Sequence, residues 1–369
     1  MIYLDYGATS FRKPPQVQRA VSDAMARCAN PGRGGYRAAM EAAKTVYHTR
    51  EQAAQMFGCL PEQVVFTSNC THGLNIAIRT LVKPGDRVAV SGFEHNAVTR
   101  TLHVLGAEPV VAGRRLFDPE DTLSQLDRVL RSGVRAAVFT HVSNVFGYIL
   151  PIARMCDMCR ERGVPVIVDA AQSAGAVPVS LEQLGADFIA MPGHKGLLGP
   201  QGTGLLLCAR EPDPLICGGT GSESIRQEMP DLLPERAEAG TLNVPGIAGL
   251  GAGLAWLGRN GVEQIGAREH RQAQRCASGL EALGVRVFSG PYQSGTVSFL
   301  PPGDCEEFAQ ALADRGIAVR AGLHCAPLAH ESAGTLDTGT VRVSYGPDAC
   351  DAQTQRLLRA VQQSLTSGK

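Results

Sequence analysis

The chain has 369 residues, 44% apolar and 19% charged, a balance that fits a folded protein with a sizeable core and excludes a disordered or fibrous one. Its 35 basic residues match 35 acidic ones and form no Lys/Arg run, which argues against nucleic-acid or membrane partners. The opening stretch MIYLDYGATS lacks a basic start followed by an apolar run, so no signal peptide is expected. Eleven cysteines, an odd number, predict free thiols in a reducing cytoplasm.

Seven short apolar runs follow one another along the first two-thirds: QVVFTS, DRVAVSG, EPVVAG, RAAVFTHVSN, VPVIVDAAQ, ADFIAMPG and GTGLLLC. Each reads as a strand, and helical periodicity fills the spaces at 71–81, 119–131 and 151–162. Strands apolar on both faces and separated by helices predict an α/β fold with a mostly parallel, doubly covered sheet. The CDMC stretch at Cys156 to Cys159 falls in one of the helical patterns and has no second ligand pair near it, so no metal site is expected there. The uncharged run at 241–258 contains Pro245 and many glycines and is too weakly apolar to span a bilayer; it predicts a buried helix. From about Ala239 the rhythm changes to a long helical region, VRVFSG, GTVSFL, a helix near 305–315, IAVRAG, a loop with Cys325, TVRVSYG and a last helix. That order predicts a smaller α+β domain.

Open α/β sheets bind ligands at the carboxyl ends of their strands. The polar residues just past the predicted strands are Thr71 and His72, His95, Asn144, Asp169 and Gln172, and His194 and Lys195. Each alone fits a cap or a turn; together they define one candidate site. Asp169 ends a run of Val and Ile, where a carboxylate is costly without a cation. Lys195 sits in a Gly-rich turn, and a lysine in a partly dry pocket becomes a nucleophile toward carbonyls. A lysine for a Schiff base and an aspartate for a ring nitrogen are the two anchors of pyridoxal 5'-phosphate. His95 is placed to lie on a ring, and the NCTHGLN turn opens a helix whose free N–H groups suit a phosphate. No G-x-G-x-x-G follows a strand and no P-loop sequence occurs, so pyridoxal phosphate is the leading cofactor.

These residues resemble the class V, fold-type I pyridoxal phosphate enzymes, and within them the cysteine desulfurases and selenocysteine lyases of the SUF-type branch. The likeness runs through YLDYGATS, TSNCTHGLNIAI, FEHNAV, SNVFG, VDAAQ, GHKGLLGPQGTG, EAGTLN, VRAGLHCAP and VRVSYG, nearly the whole chain in order. It implies a large domain with a mostly parallel seven-stranded sheet over 21–240, an N-terminal segment, 1–20, packed with the small domain, and a smaller C-terminal α+β domain over 241–369. It makes Lys195 the Schiff-base lysine and Asp169 the partner of the pyridine nitrogen. Gln172 would touch the phenolic oxygen, and His95 would stack on the ring. Thr71, His194 and, from the second subunit of a homodimer, Thr241 would hold the phosphate. Asn144 and Arg342 would bind the substrate carboxylate.

In such enzymes a cysteine thiolate attacks the sulfur of L-cysteine, leaving L-alanine and a persulfide for a protein sulfur acceptor; Cys325 takes that part. Its surroundings, VRAGLHCAPLAHESAG, predict a mobile Gly/Ala loop that lets the persulfide leave the pocket. A free thiol, with a pKa of about 8.5, is only slightly ionised at pH 7, so a neighbouring cation such as His324 or Arg320 is expected to assist. His330, His324 and Cys325 offer no fourth ligand, and no metal site is expected. The chain departs from the family pattern at Pro192, Cys70, His72 and Leu323, and between Cys325 and Arg342. Pro192 removes one phosphate hydroxyl, and Cys70 and His72 replace the commoner Thr/Ala and Glu of the phosphate turn, which predicts a weaker cofactor grip unless Thr241 and backbone N–H groups compensate. Three alternatives stand beside desulfuration: a selenocysteine lyase, another carbon–sulfur lyase on the same scaffold, and a non-catalytic sulfur-carrying or scaffold protein.

Overall fold

The computed structural model describes residues 1–32 and 34–367. Strand β1 (Ile2–Tyr3) precedes two helices, α1 (Pro15–Arg27) and α2 (Arg37–Phe57). An alternating stretch follows: β2 (Val64–Thr67), α3 (Cys70–Leu81), β3 (Arg87–Ser91), α4 (Asn96–Leu105), β4 (Glu108–Ala112) and α5 (Pro119–Arg131). It continues with β5 (Ala136–Thr140), α6 (Ile152–Arg160), β6 (Val166–Asp169), α7 (Leu181–Leu184), β7 (Phe188–Pro192) and β8 (Gly204–Cys208). After an irregular passage come α8 (Val244–Asn260), α9 (Val262–Ala282), β9 (Arg286–Phe288), β10 (Thr296–Leu300) and α10 (Cys305–Asp314). The chain then forms β11 (Ile317–Ala318), β12 (Arg320–Gly322), α11 (Pro327–Ala333), β13 (Thr340–Ser344) and α12 (Asp351–Ser367).

All seven predicted strands enter one sheet in the order β2-β8-β7-β6-β5-β3-β4. Strands β3 to β7 pair in parallel, and β8 runs antiparallel to both of its neighbours. The sheet is apolar on both faces because helices cover both. Val65, Val88, Val90 and Ile167 pack in one cluster with Leu74, Ile78 and Leu102 of α3 and α4. Their strand neighbours Val64, Ala89, Val166 and Val168 pack in the other, with Phe57, Leu126, Met155 and Leu254 from α2, α5, α6 and α8. Period-2 alternation is present in the backbone but hidden in the sequence, since both faces demand Val, Ile or Ala.

The Gly-rich run at 244–260 is helix α8, packed against α1 and α2, where its small residues admit close helix approach. A second sheet, β12-β13-β10-β9, is antiparallel and shares a core with α9, α10 and α12. IAVRAG does not form one strand. Ile317–Ala318 pairs in parallel with Ile2–Tyr3, whereas Arg320–Gly322 turns to pair with β13. None of the described helices is long and apolar enough to cross a membrane.

One buried ion pair ties the irregular passage before α8 to the body of the protein. Both guanidinium nitrogens of Arg50 on α2 donate to Glu238 at 2.9 Å, and the Phe66 N–H donates to the same carboxylate at 2.6 Å. The side chains are only 7% and 5% exposed. Removing one charge of such a pair strands the other in a dry setting, at roughly 3–5 kcal/mol. Glu238→Gln should therefore lower the urea-unfolding free energy by about 3 kcal/mol, while Glu41→Gln, which breaks only the exposed Arg37 pair, should leave the midpoint unchanged.

Candidate active site

The carboxyl ends of the central strands open on one cavity. Its walls include Thr71, His95, Asn144, Asp169, Gln172, His194 and Lys195, so these residues predicted from the strand ends converge, whereas His72 lies outside the lining with its ring against Ser68. Asp169 is the last residue of β6 and is 2% exposed. Its Oδ1 accepts the Ala171 N–H at 2.9 Å and the Cys70 S–H at 3.4 Å, and Oδ2 has no hydrogen bond among the described residues. One oxygen is thus fixed by the protein while the other stays open for a cationic N–H. Cys70, a departure from the family pattern, therefore serves the aspartate.

Lys195 follows β7 in a tight turn braced by Gly193 N–H to Thr203 O (2.8 Å) and Gly199 N–H to Gly193 O (2.7 Å). A Cβ on Gly196 would lie 2.2 Å from the Ala174 carbonyl oxygen, so only glycine lets this turn press against the one that follows Asp169. The N-terminal segment seals the other side. Ser10 donates its N–H and its hydroxyl to the His194 carbonyl at 2.9 and 2.8 Å, and Thr9 Oγ1 meets His194 Nδ1 at 3.0 Å. Desolvation lowers the pKa of the Lys195 amine, partly opposed by Asp169, which favours the nucleophilic free base. Burial likewise lowers His194 to about 4.

His95 caps α4: its Nδ1 accepts the Ala97 N–H at 3.0 Å, which fixes the ring and leaves the proton on Nε2. Desolvation keeps it toward the neutral form. Asn69 caps α3 by accepting the His72 N–H at 2.8 Å, leaving the Cys70 and Thr71 N–H groups at the cavity for an anion. Gln172 donates to the Gly7 carbonyl at 2.9 Å. Together, an open carboxylate oxygen, a dried amine, a fixed ring and a helix N-terminus fit pyridoxal phosphate.

Arg342 on β13 is 2% exposed. Its Nη1 donates to the Asn144 carbonyl at 2.9 Å and its Nη2 to Asp5 at 2.6 Å, while Nε is buried without a partner. Gly7 makes room, since a Cβ there would lie 3.0 Å from the guanidinium carbon. Thr241 stands apart: it is exposed and lines a separate groove with Arg50, Gly219 and Glu238.

Cys325 is exposed, but its loop is not the slack Gly/Ala run expected from the sequence. Leu323 to Ala326 form a type I′ turn, with Ala326 N–H bonded to Leu323 O (2.9 Å) and φ of +50° at His324 and +57° at Cys325. Two successive non-glycine residues in the left-handed region cost roughly 1–2 kcal/mol each. A side chain and a main-chain group just beyond the large sheet's strand ends offset that strain. Asn144 Nδ2 donates to the His324 carbonyl at 2.7 Å, and the Asn96 N–H donates to the Cys325 carbonyl at 2.8 Å. Helix α11 then begins at Pro327, which anchors the other end. The expectation that His324 supplies a cation is also overturned. Its ring is buried, Nε2 meets the Thr340 carbonyl at 3.1 Å, and burial drives its pKa to about 2. Arg320 is the remaining cation, and its charge acts on His95, Lys195 and Arg342.

Sequence reasoning missed Asp5, Asn96 and Glu94. Glu94 Oε1 accepts the Ser91 hydroxyl (2.5 Å) and the Thr140 N–H (2.9 Å), joining the ends of β3 and β5 beneath the cavity. Burial raises its pKa to about 8. Its place directly before His95 was the one available signal.

The aminotransferase class-V family model matches residues 2–357. A probable cysteine desulfurase of Pyrococcus abyssi is 32% identical, with 94% of this chain and 89% of that protein aligned. One from Methanothermobacter thermautotrophicus is 30% identical over 93% and 89%. Among solved structures, the apo cysteine desulfurase of Thermococcus onnurineus superposes with a TM-score of 0.90 at 30% identity, covering 99% of this chain and 95% of that one.

Two outcomes follow from this geometry. Asn144→Ala should free the strained turn, raising amide exchange at Ala326 by about tenfold or more in a hydrogen-exchange measurement, as expected for the loss of one bond to a buried carbonyl. His141, whose pKa burial lowers to about 4, and His324 must stay neutral in the folded protein. Their folded pKa values lie below the unfolded value near 6.5, so their contribution is complete above pH 6.5 and is lost as pH falls toward 4, at about 1.4 kcal/mol per pH unit for each. His141→Gln should flatten the urea-midpoint profile by one proton over that window.

Proposed function

Because the chain belongs to the aminotransferase class-V family, we propose that it is a pyridoxal-phosphate-dependent cysteine desulfurase that converts L-cysteine to L-alanine. One observation carries the reading: the Cys325 carbonyl is docked on the Asn96 N–H, one residue from His95, at the rim of the cavity that holds Lys195 and Asp169. A reactive thiol held there serves sulfur transfer and has no use in a plain amino transfer. The relatives named cysteine desulfurase support the same choice.

In this reading Lys195 would carry the cofactor and Asp169 Oδ2 would accept its ring N–H. His95 would pack on the ring, and Gln172, now bonded to the Gly7 carbonyl, would hold the phenolic oxygen. The Cys70 and Thr71 N–H groups, the Thr71 hydroxyl and His194 hold the phosphate. Pyridoxal phosphate supplies the electron sink that lets the Cα proton of the substrate leave. Lys195 Nζ, kept toward its free-base form by desolvation, receives that proton. Arg342 and Asn144 orient the substrate carboxylate, and the unpartnered Arg342 Nε is the donor still open to it. Cys325 Sγ, as thiolate, forms a bond to the substrate sulfur while the substrate's Cβ–S bond breaks. The electron pair stays with carbon, which takes up a proton to become alanine, and the persulfide anion remains on Cys325 for a protein acceptor.

The same proposal includes a cofactor-binding domain over 21–240, with the segment 1–20 joined to a smaller domain over 241–369. It also includes a homodimer, in which exposed Thr241 serves the neighbouring subunit's phosphate. The eleven free thiols suit a cytoplasmic setting.

Cys325→Ser should lower alanine formation from L-cysteine on the order of 10³-fold or more, as nucleophile removal does, while the visible absorption of bound cofactor persists. Alanine production at the wild-type rate by that variant would overturn persulfide chemistry at this thiol.

A further inference from the structure

Cys70 opens helix α3, and close packing fixes its place. A Cβ on Gly204 of β8 would lie 2.8 Å from the Asn69 carbonyl carbon, so glycine there lets the start of the helix press against the sheet. One turn further on, a Cβ on Gly73 would lie 3.3 Å from the Ala190 side chain. Ala190 is the register partner of Asp169 in the β6–β7 pair. Positions three apart share a helix face, so the face that meets Ala190 also carries the thiol to the end of β6. There the Cys70 S–H donates to Asp169 Oδ1 at 3.4 Å, with both side chains buried. The contact extends to the second anchor of the site, because Cys70 and Lys195 are each among the groups whose charge acts on the other.

We propose that Cys70 sets how strongly Asp169 holds the ring N–H of the cofactor. The inference rests on the reading of Asp169 as the partner of that ring nitrogen. Cys70 acts only through Asp169, so it is a positioning residue. Its thiol is a weak donor, standing between a methyl group, which would donate nothing, and a hydroxyl, which would donate strongly. Among the described residues Oδ1 has one other donor, the Ala171 N–H at 2.9 Å. The negative charge of the carboxylate is therefore drawn only lightly toward Oδ1 and stays available on Oδ2, the oxygen left open.

Electrostatics gives the direction. A stronger donor on Oδ1 pulls charge away from Oδ2 and loosens the ring N–H; removing the donor does the reverse. Burial, and then the charge of Asp169, push the Cys70 thiol well above its ordinary range, with Lys195 opposing. The thiol thus keeps its proton and remains a donor through neutral pH. Positive charge held on the ring works against a proton on the nitrogen that joins the cofactor to Lys195. The visible absorption of the bound cofactor follows that proton, so its pH midpoint reports the grip of Asp169.

The test is a pH titration of the visible absorption of three holoenzymes: wild type, Cys70→Ser and Cys70→Ala. The serine variant should titrate at a higher pH than wild type and the alanine variant at a lower one, each by about half a pH unit. Opposite shifts are the signature, since a side chain that merely packs would move both variants the same way. Shifts of one sign, or midpoints that match wild type, would overturn the proposal. If the alanine variant does not fold, the serine variant decides alone: an unchanged or lowered midpoint rejects the inference. If wild type bound no cofactor at Lys195, the functional reading and this inference would fall together. A wild-type band that titrates without the opposite shifts would remove the inference alone.

Discussion

A guanidinium with almost no access to water holds three distant parts of the chain together. Arg342 lies on the small antiparallel sheet, Asp5 follows the first strand, and Asn144 lies beyond β5 of the large sheet. Burying a cation is expensive, and the cost is offset only while the carboxylate and the carbonyl stay in place. The two sheets therefore cannot slide past each other without stranding a charge. The restraint also passes to the thiol, because Asn144 accepts from Arg342 through its carbonyl and donates to His324 through its amide. The position of Cys325 is thereby coupled, through Asn144, to the end of β5 in the large sheet.

Around that anchor, partial or full burial shifts many titratable groups of the site toward their neutral forms. His141, His194 and His324 are held neutral by burial, Glu94 is held toward its protonated form, and the Lys195 amine toward its free base. Few fixed charges remain besides Asp169, Arg342 with Asp5, and Arg320. In such a setting each of them acts over a longer range than it would in water. In the proposed reading, a cationic ring nitrogen would meet a lone carboxylate oxygen, and an anionic substrate would meet a lone guanidinium N–H. Discrimination arises from scarcity of charge, with the hydrogen-bonded turns serving to hold those few groups still.

Much of this was legible in the residues. Strand ends carry their chemistry in the next one or two positions, so Thr71, His95, Asn144, Asp169 and Lys195 could be picked out before any contact was known. Helix α5 was bounded by Pro119 and by its apolar period, and it forms over those residues. What was hidden is non-local. Nothing in VVFT announces that it pairs with the last strand of its sheet, nor in IY that it pairs with Ile317–Ala318. The order of the Cys325 loop is hidden for a related reason. Gly and Ala around it suggested freedom, whereas its rigidity comes from Asn144 and Asn96, far away in sequence, and its unusual backbone falls on a histidine and a cysteine that give no turn signal.

The pairing of β1 with β11 has a consequence for a chain made from one end. The large sheet is complete once Cys208 has been added, so the lysine, the aspartate and the capped histidine can assemble early, as N-terminal units do during synthesis. The first strand, by contrast, waits for nearly the last, and Asp5 waits for Arg342. Cys325 and Arg342 thus arrive after the pocket that the proposed reaction uses. A nascent chain presents the cleft without its thiol, and sulfur chemistry becomes possible only when the two ends of the polypeptide have met.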